Sequence, residues 1–137
     1  MIIEYGGKIV LVTGGAKGIG RGIALQFASS GARVAVIDVD TKSGKKTVAE
    51  ASQTCPQAIF VEANLGEAEE CYRATHAVAT QFGGIDVLIN NVGIQSLESY
   101  RTVEETSEQL WDQIMAVNLK SHFLMAKYCI PEMRKRG

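Results

Sequence analysis

The residues best suited to do chemistry form a glycine-rich segment near the amino terminus, TGGAKGIG at positions 13–20. Glycines permit a tight turn and let the backbone approach a ligand with no side chain in between. If a helix begins there, its unpaired N–H groups and the positive end of its dipole favour a diphosphate. The spacing, with glycines at 14, 18 and 20, differs from the general G-x-G-x-x-G pattern and is not a Walker loop. A tight turn that only allows close helix packing remains the alternative.

An acidic residue lies at the distance expected for the ribose of a dinucleotide. Asp38 ends a predicted strand 18 positions after Gly20, near the spacing of about 20 residues for the acid that binds ribose hydroxyls. A carboxylate there repels a 2′-phosphate, so we expect NAD(H) rather than NADP(H). Lys17 and Arg21 could instead attract such a phosphate. The alternative for Asp38 is a solvated acid at a strand end or a helix cap.

These residues must be positioned by alternating strands and helices. Short apolar runs that end in glycine or acidic residues are typical of strands buried on both faces, and the segments between them show helical periodicity. The pattern predicts strands at 8–13, 33–38, 58–62 and 86–90 and helices at 19–30, 41–53, 67–82 and about 104–133. We therefore expect an α/β fold, a Rossmann-like doubly wound parallel sheet in strand order 3-2-1-4.

Composition limits the function classes. The chain has 137 residues, 46% hydrophobic and 21% charged, which suits one domain over 1–137. A net charge of −1 offers no basic surface for nucleic acid, and no apolar run approaches a membrane span. The three cysteines, Cys55, Cys71 and Cys129, lack metal-ligand spacing and suggest reduced thiols in a cytoplasmic protein without a metal site.

Three motifs in order resemble the short-chain dehydrogenase/reductase family from Gly7 to Gly137. They are TGGAKGIG at 13–20, NNVG at 90–93 after the fourth predicted strand, and Asn118 within VNL. The resemblance implies hydride transfer between NAD(H) and a small-molecule alcohol or carbonyl compound. It assigns cofactor contacts to the pyrophosphate turn, the ribose acid, the adenine pocket and the wall beside the fourth strand; with Lys17 as a candidate phosphate contact, these are Gly14, Lys17, Gly18, Ile19, Gly20, Asp38, Asn64, Leu65, Asn90 and Gly93.

Two positions depart from the family pattern. Asn64 replaces the usual Asp at the adenine, although its amide oxygen can still accept a hydrogen bond, and Val92 replaces the usual Ala. Asn118 matches the family residue that perturbs its helix and holds a water on the proton relay, which is a supporting catalytic role. The alternative is an asparagine bonded only to neighbouring backbone.

The family's catalytic Ser, Tyr and Lys have no counterpart in the chain. No tyrosine is followed four positions later by a lysine. We therefore expect the cofactor-binding half of an oxidoreductase, truncated after the fourth strand and the long helix, and leave open whether this chain alone is an enzyme. The alternative is a non-catalytic nucleotide-binding module, or a half-protein that needs a partner chain. A methyltransferase is disfavoured, because its cofactor has no pyrophosphate.

The last helix carries apolar residues on two stripes, one with Leu110, Ile114 and Val117 and one that includes Trp111 and Phe123. Two stripes indicate cover on two sides, by the sheet and by another subunit, so we expect a homo-oligomer. Pro131 is expected to kink or end this helix. His76 and His122 are interpreted as helix-face residues. The substrate itself, and dimer against tetramer, stay open.

Overall fold

The computed structural model describes residues 4–55 and 57–137. Within these residues, four strands, β1 (Ile9–Thr13), β2 (Arg33–Asp38), β3 (Ala58–Glu62) and β4 (Val87–Ile89), form one sheet in the order β3-β2-β1-β4. All neighbouring strands are parallel. The predicted Rossmann-like doubly wound sheet and its strand order are confirmed. β4 lies at an edge of this sheet, and its three residues are half-buried.

Five α-helices of the described residues flank the sheet, and the first three match the predicted positions within a few residues. They are α1 (Gly18–Ser29), α2 (Thr41–Ala51), α3 (Ala68–Phe82), α4 (Glu108–Met115) and α5 (Ser121–Arg136). A short 3₁₀ turn covers Leu97–Tyr100, and a π-helical turn, Ala116–Lys120, joins α4 to α5. None of the described helices is long and apolar enough to cross a membrane.

The core lies on both faces of the sheet because successive strand residues point to opposite sides. On β1, Ile9 and Leu11 pack with residues of α3 and α5, such as Val78 and Met125. Val10 and its neighbour Val12 pack on the other face, against the small residues of α1. Every residue of β1 is therefore fully buried, which holds its carboxyl end in a fixed place.

The long helix predicted at 104–133 needs correction. It begins four residues later, at Glu108, because the Ser107 hydroxyl accepts a hydrogen bond from the Leu110 N–H at 3.1 Å and caps the helix there. It continues to Arg136, and Pro131 lies inside α5 without ending it. Trp111 and Phe123, on the second apolar stripe, are 60% and 62% exposed, so no described element covers that stripe.

The Asp86 carboxylate joins the amino ends of β1 and β4 to the carboxyl end of α5. Asp86 Oδ2 accepts from the Ile9 N–H at 2.7 Å, and Oδ1 accepts from Arg136 Nε at 2.8 Å. Burial alone would raise the pKa of Asp86, but the hydrogen bonds from Arg136 and Ile9 and the nearby positive charges hold it below its usual value. The carboxylate therefore stabilises the fold in its charged form.

We expect Asp86→Ala to lower the free energy of unfolding by about 2 kcal/mol, because it leaves the Ile9 N–H without an acceptor. Urea denaturation measures this change. Since the folded pKa lies below the unfolded value of about 4, the stabilisation is complete above that pH and lost as the pH falls through the folded pKa. The difference between variant and wild type should therefore shrink in acid. Glu98→Ala, which breaks an exposed 4.0 Å pair with Arg101, is the matched control and should change little.

Candidate functional site

A cleft of about 700 Å³ opens at the carboxyl ends of β1, β2 and β4. This edge of a doubly wound sheet is where such folds bind ligands. Nine of the ten predicted cofactor residues line the cleft: Gly14, Lys17, Gly18, Ile19, Gly20, Asp38, Asn64, Leu65 and Gly93. The tenth, Asn90, lies outside it, where its side-chain N–H donates to the His122 carbonyl oxygen at 3.2 Å.

The glycine turn needs its glycines for two different reasons. Gly14 and Gly18 have φ values of +64° and +55°, in the left-handed region that favours glycine. At Gly20 the reason is space, because a Cβ would collide with the Gly14 carbonyl oxygen and the Asn91 side chain. A Cβ on Gly14 would lie 2.8 Å from the Val92 Cα. The turn therefore packs directly against the segment that follows β4.

Thr13 and Asn91, which sequence reasoning did not select, hold these two segments together. The Thr13 hydroxyl is buried, donates to the Ile89 carbonyl at 3.2 Å and accepts from the backbone N–H groups of Asn91 and Val92 at 3.0 and 3.1 Å. The Asn91 side-chain amide donates to the carbonyl oxygens of Thr13 and Gly14 at 3.0 and 3.1 Å. The carbonyls of the turn are thus satisfied from the β4 side.

The first turn of α1 keeps its N–H groups available. Lys17 is the N-cap residue, and no side chain of the described residues caps this helix. The Arg21 N–H already bonds to the Lys17 carbonyl at 3.1 Å, so the free donors of this turn are the N–H groups of Gly18, Ile19 and Gly20. Gly18 has nothing within 4 Å of a would-be Cβ, so its backbone faces open space. These donors and the helix dipole can bind an anion from the cleft.

Asp38 fixes the turn and still has acceptor capacity. Its Oδ2 accepts from the Ala16 N–H at 3.1 Å, and its Oδ1 accepts from the Asp40 N–H at 3.0 Å. The Ala16 carbonyl accepts in turn from the Thr47 hydroxyl at 2.9 Å. Since each carboxylate oxygen has two lone pairs, one on each oxygen remains for a ligand hydroxyl.

Two cations near the turn are already paired. Lys17 forms an ion pair with Asp40, and Arg21 forms one with Glu50 at 2.5 Å. The hydrogen bond and charge of Asp40, with a contribution from Asp38, raise the pKa of Lys17. The Lys17 partner is the main reason that the pKa of Asp40 falls to about 2. Both side chains are therefore charged at neutral pH.

The adenine-side residues differ in exposure. Asn64 is exposed, and its Oδ1 accepts from the Gly66 N–H at 3.1 Å, whereas Leu65 is 3% exposed and packs into the core. Asn64 therefore presents its amide to the cleft from a short turn of its own backbone.

Asn118 and His122 form hydrogen bonds from the helix side to the segment after β4, which forms one wall of the cleft. Asn118 lies in the π-helical turn, where its Oδ1 accepts from the Ile94 N–H at 2.7 Å and its Nδ2 donates to the Ile94 carbonyl at 2.9 Å. The Nε2–H of His122 donates to the Val92 carbonyl at 2.9 Å. His122 lies on α5, as expected of a helix-face residue, and its side chain joins α5 to the segment after β4.

Comparison with known proteins agrees with this geometry. The family model for short chain dehydrogenases matches residues 8–137. An uncharacterized oxidoreductase of Thermotoga maritima is 39% identical over 136 residues, which are 98% of this chain and 52% of that protein. The chain spans about half the length of the curated relatives it matches.

Solved structures show the same fold with both nicotinamide cofactors. The NADH-dependent reductase A1-R′ complexed with NAD matches with a TM-score of 0.87 and 31% identity, over 96% of this chain and 54% of that chain. A metagenomic short-chain oxidoreductase in complex with NADP matches with a TM-score of 0.89 and 27% identity, over 96% and 58%.

Two glycines of α1 give a matched test of the close approach. Gly20→Ala should lower the free energy of unfolding by about 2 kcal/mol, since its Cβ meets backbone that has no free space. Gly22→Ala, two residues on, meets nothing within 4 Å and should raise the stability by up to about 1 kcal/mol through helix propensity. Thermal and urea denaturation compare the two, and equal effects would contradict the packing described above.

Thr13→Val keeps the shape of a buried side chain and removes its hydroxyl. It leaves the N–H groups of Asn91 and Val92 without their acceptor, so we expect a loss of about 2 kcal/mol in stability. Thr102→Val, at an exposed position, is the control and should be nearly neutral. Protection of the Asn91 and Val92 amides in hydrogen exchange should fall in the Thr13 variant, and unchanged protection would argue against the proposed junction.

Proposed function

The chain belongs to the short-chain dehydrogenase family, and we propose that it binds NAD(H) in the cleft as the cofactor-binding half of an oxidoreductase. When bound, the nicotinamide supplies hydride transfer to or from an alcohol or carbonyl group of a small-molecule substrate. The observation that carries this proposal is that uncapped donors of α1 and the acceptor Asp38 face one cleft.

The residues present suit a dinucleotide. The first turn of α1 offers the N–H groups of Gly18, Ile19 and Gly20 to a pyrophosphate, and Gly18 has open space where a side chain would stand. The free lone pairs of Asp38 suit the two hydroxyls of a ribose. Asn64, at the cleft edge, can hydrogen-bond the adenine, and Leu65 supports its turn from the core. We assign Gly93 and the backbone beside Asn90 to the far wall.

The charges around the turn favour NAD(H) over NADP(H). Asp38 repels a 2′-phosphate, and the two nearby cations, Lys17 and Arg21, are each already paired with a carboxylate. Because related structures contain either cofactor, the preference rests on these local charges.

For Asn118 we propose a supporting role in proton transfer. Both polar atoms of its side-chain amide are hydrogen-bonded to the backbone of Ile94, so its contribution comes through the π-helical turn. A π-helical turn shifts the backbone hydrogen bonds, and such turns are frequent at functional sites. None of the four tyrosines of the chain is followed four residues later by lysine. The proposal therefore assigns cofactor binding to this chain and the proton-donating groups to polypeptide outside it.

A nucleotide-binding half that a partner chain completes is the second candidate. The edge position of β4 and the exposed side chains of Trp111, Leu119 and Phe123 favour it. The same apolar surface, formed by α4, the π-helical turn and α5, supports a homo-oligomer. Analytical ultracentrifugation of the purified chain distinguishes a homo-oligomer from a complex with a different chain, since a homo-oligomer forms without any added chain.

We also propose a reducing location such as the cytoplasm. The three cysteines are free and buried, and burial raises the pKa of Cys71 and Cys129 to about 11. Their thiols stay protonated at neutral pH and react slowly with oxidants.

Titration with NADH and NADPH, followed by cofactor fluorescence, tests the proposal. We expect NADH to bind more tightly, and Asp38→Asn to weaken NADH binding about tenfold by removing a charged acceptor from the ribose hydroxyls. Asp112→Asn is the control, since Asp112 is exposed on α4 and does not line the cleft. Absence of NADH binding to the folded wild-type chain would overturn the proposed function.

A further inference from the structure

The cleft has a single cationic side chain among the described residues that line it, that of Lys17. Lys17 and Asp38 line the same cleft, so a phosphate on a ribose bound by Asp38 would have this cation as its available partner. Its ammonium group is instead paired with Asp40, a residue that does not line the cleft.

Asp40 is held in position independently of Lys17. It is the N-cap residue of α2, where Oδ1 accepts from the Ser43 N–H at 2.9 Å and Oδ2 accepts from the Ser43 hydroxyl at 3.0 Å. Its own N–H donates to Asp38 Oδ1 at 3.0 Å. The carboxylate is thus fixed by the start of a helix and by the ribose acid itself, so it presents a preorganised partner to the lysine.

We propose that Asp40 is a specificity-determining residue that acts through Lys17 and excludes a 2′-phosphorylated dinucleotide. This inference rests on the proposed binding of NAD(H) in the same cleft. Asp40 neutralises the ammonium group that a 2′-phosphate would need, and with Asp38 it leaves one net negative charge at the ribose end.

The consequence differs between the two cofactors. A 2′-phosphate, with a charge near −2 at neutral pH, must displace Asp40 from Lys17 while it lies beside Asp38. The ribose hydroxyls of NAD(H) are neutral and need only the free lone pairs of Asp38, so the ion pair stays intact. Asp38 therefore favours the binding of NAD(H), and the ion pair of Lys17 with Asp40 disfavours the binding of the 2′-phosphorylated cofactor.

The test is a double-mutant cycle on the ratio of the NADPH and NADH dissociation constants, measured by fluorescence at one low salt concentration. Asp40→Asn keeps an oxygen for the Ser43 N–H, and asparagine is a favourable N-cap, so the fold is retained. We expect it to improve NADPH binding relative to NADH about tenfold, the scale of one charge-assisted hydrogen bond. Lys17→Met alone should change the ratio little, because the ammonium group is already neutralised.

The double variant Asp40→Asn/Lys17→Met decides how Asp40 acts. We expect it to lose the improvement in NADPH binding relative to NADH that Asp40→Asn produces. The variant Asp40→Asn/Lys42→Met should keep this improvement, since Lys42 is an exposed lysine outside the cleft lining. If the improvement persists without Lys17, or if Asp40→Asn leaves the ratio unchanged, the inference is wrong although NADH binding stands. If the wild-type chain binds neither cofactor, the proposed function itself fails.

Discussion

The close approach of two backbone segments, the glycine turn and the residues after β4, is the constraint on which the site depends. At Gly14 and Gly20 there is no space for a Cβ, and the Asn91 side-chain amide donates hydrogen bonds to the carbonyl oxygens of Thr13 and Gly14. Because those carbonyls are satisfied from one side, the turn is rigid, and the N–H groups of α1 remain as its uncommitted polar groups. The capacity of this helix to bind an anion, as proposed, follows from how the turn is packed.

The segment after β4 is held from both sides. On the β1 side the Thr13 hydroxyl binds two of its N–H groups, and on the helix side Asn118 and His122 bind the backbone of Ile94 and Val92. Asn118 lies in the π-helical turn, and both polar atoms of its amide bond to the Ile94 backbone. The wall of the cleft is therefore fixed by side chains from β1, the π-helical turn and α5.

The sheet and the glycine turn could be predicted because their signals are local. Parallel strands buried on both faces are continuous apolar runs, and a turn with positive φ at Gly14 and Gly18 requires glycine in place. Two contacts of the site could not be predicted. Thr13 and Asn91 lie far apart in the sequence. The ion pair of Asp40 with Lys17 is not evident because an aspartate at this position is expected only to cap a helix. No periodicity encodes them. The start of α4 was misplaced because the Ser107 cap outweighs a helical pattern that extends back to Glu104.

The cleft is lined by the ends of β1, β2 and β4, by the segments that follow the four strands, and by Gln113 and Val117 from the helical side. Binding of a dinucleotide would thus draw on contacts that the chain already contains, with its phosphate donors on α1 and its ribose acceptor on β2. The proton donor that hydride transfer also needs is a different group with a different position. Cofactor binding and catalysis are for that reason separable properties, and the proposed cofactor preference, which depends on the charges of Lys17, Asp38 and Asp40 beside one turn, belongs to the first of them.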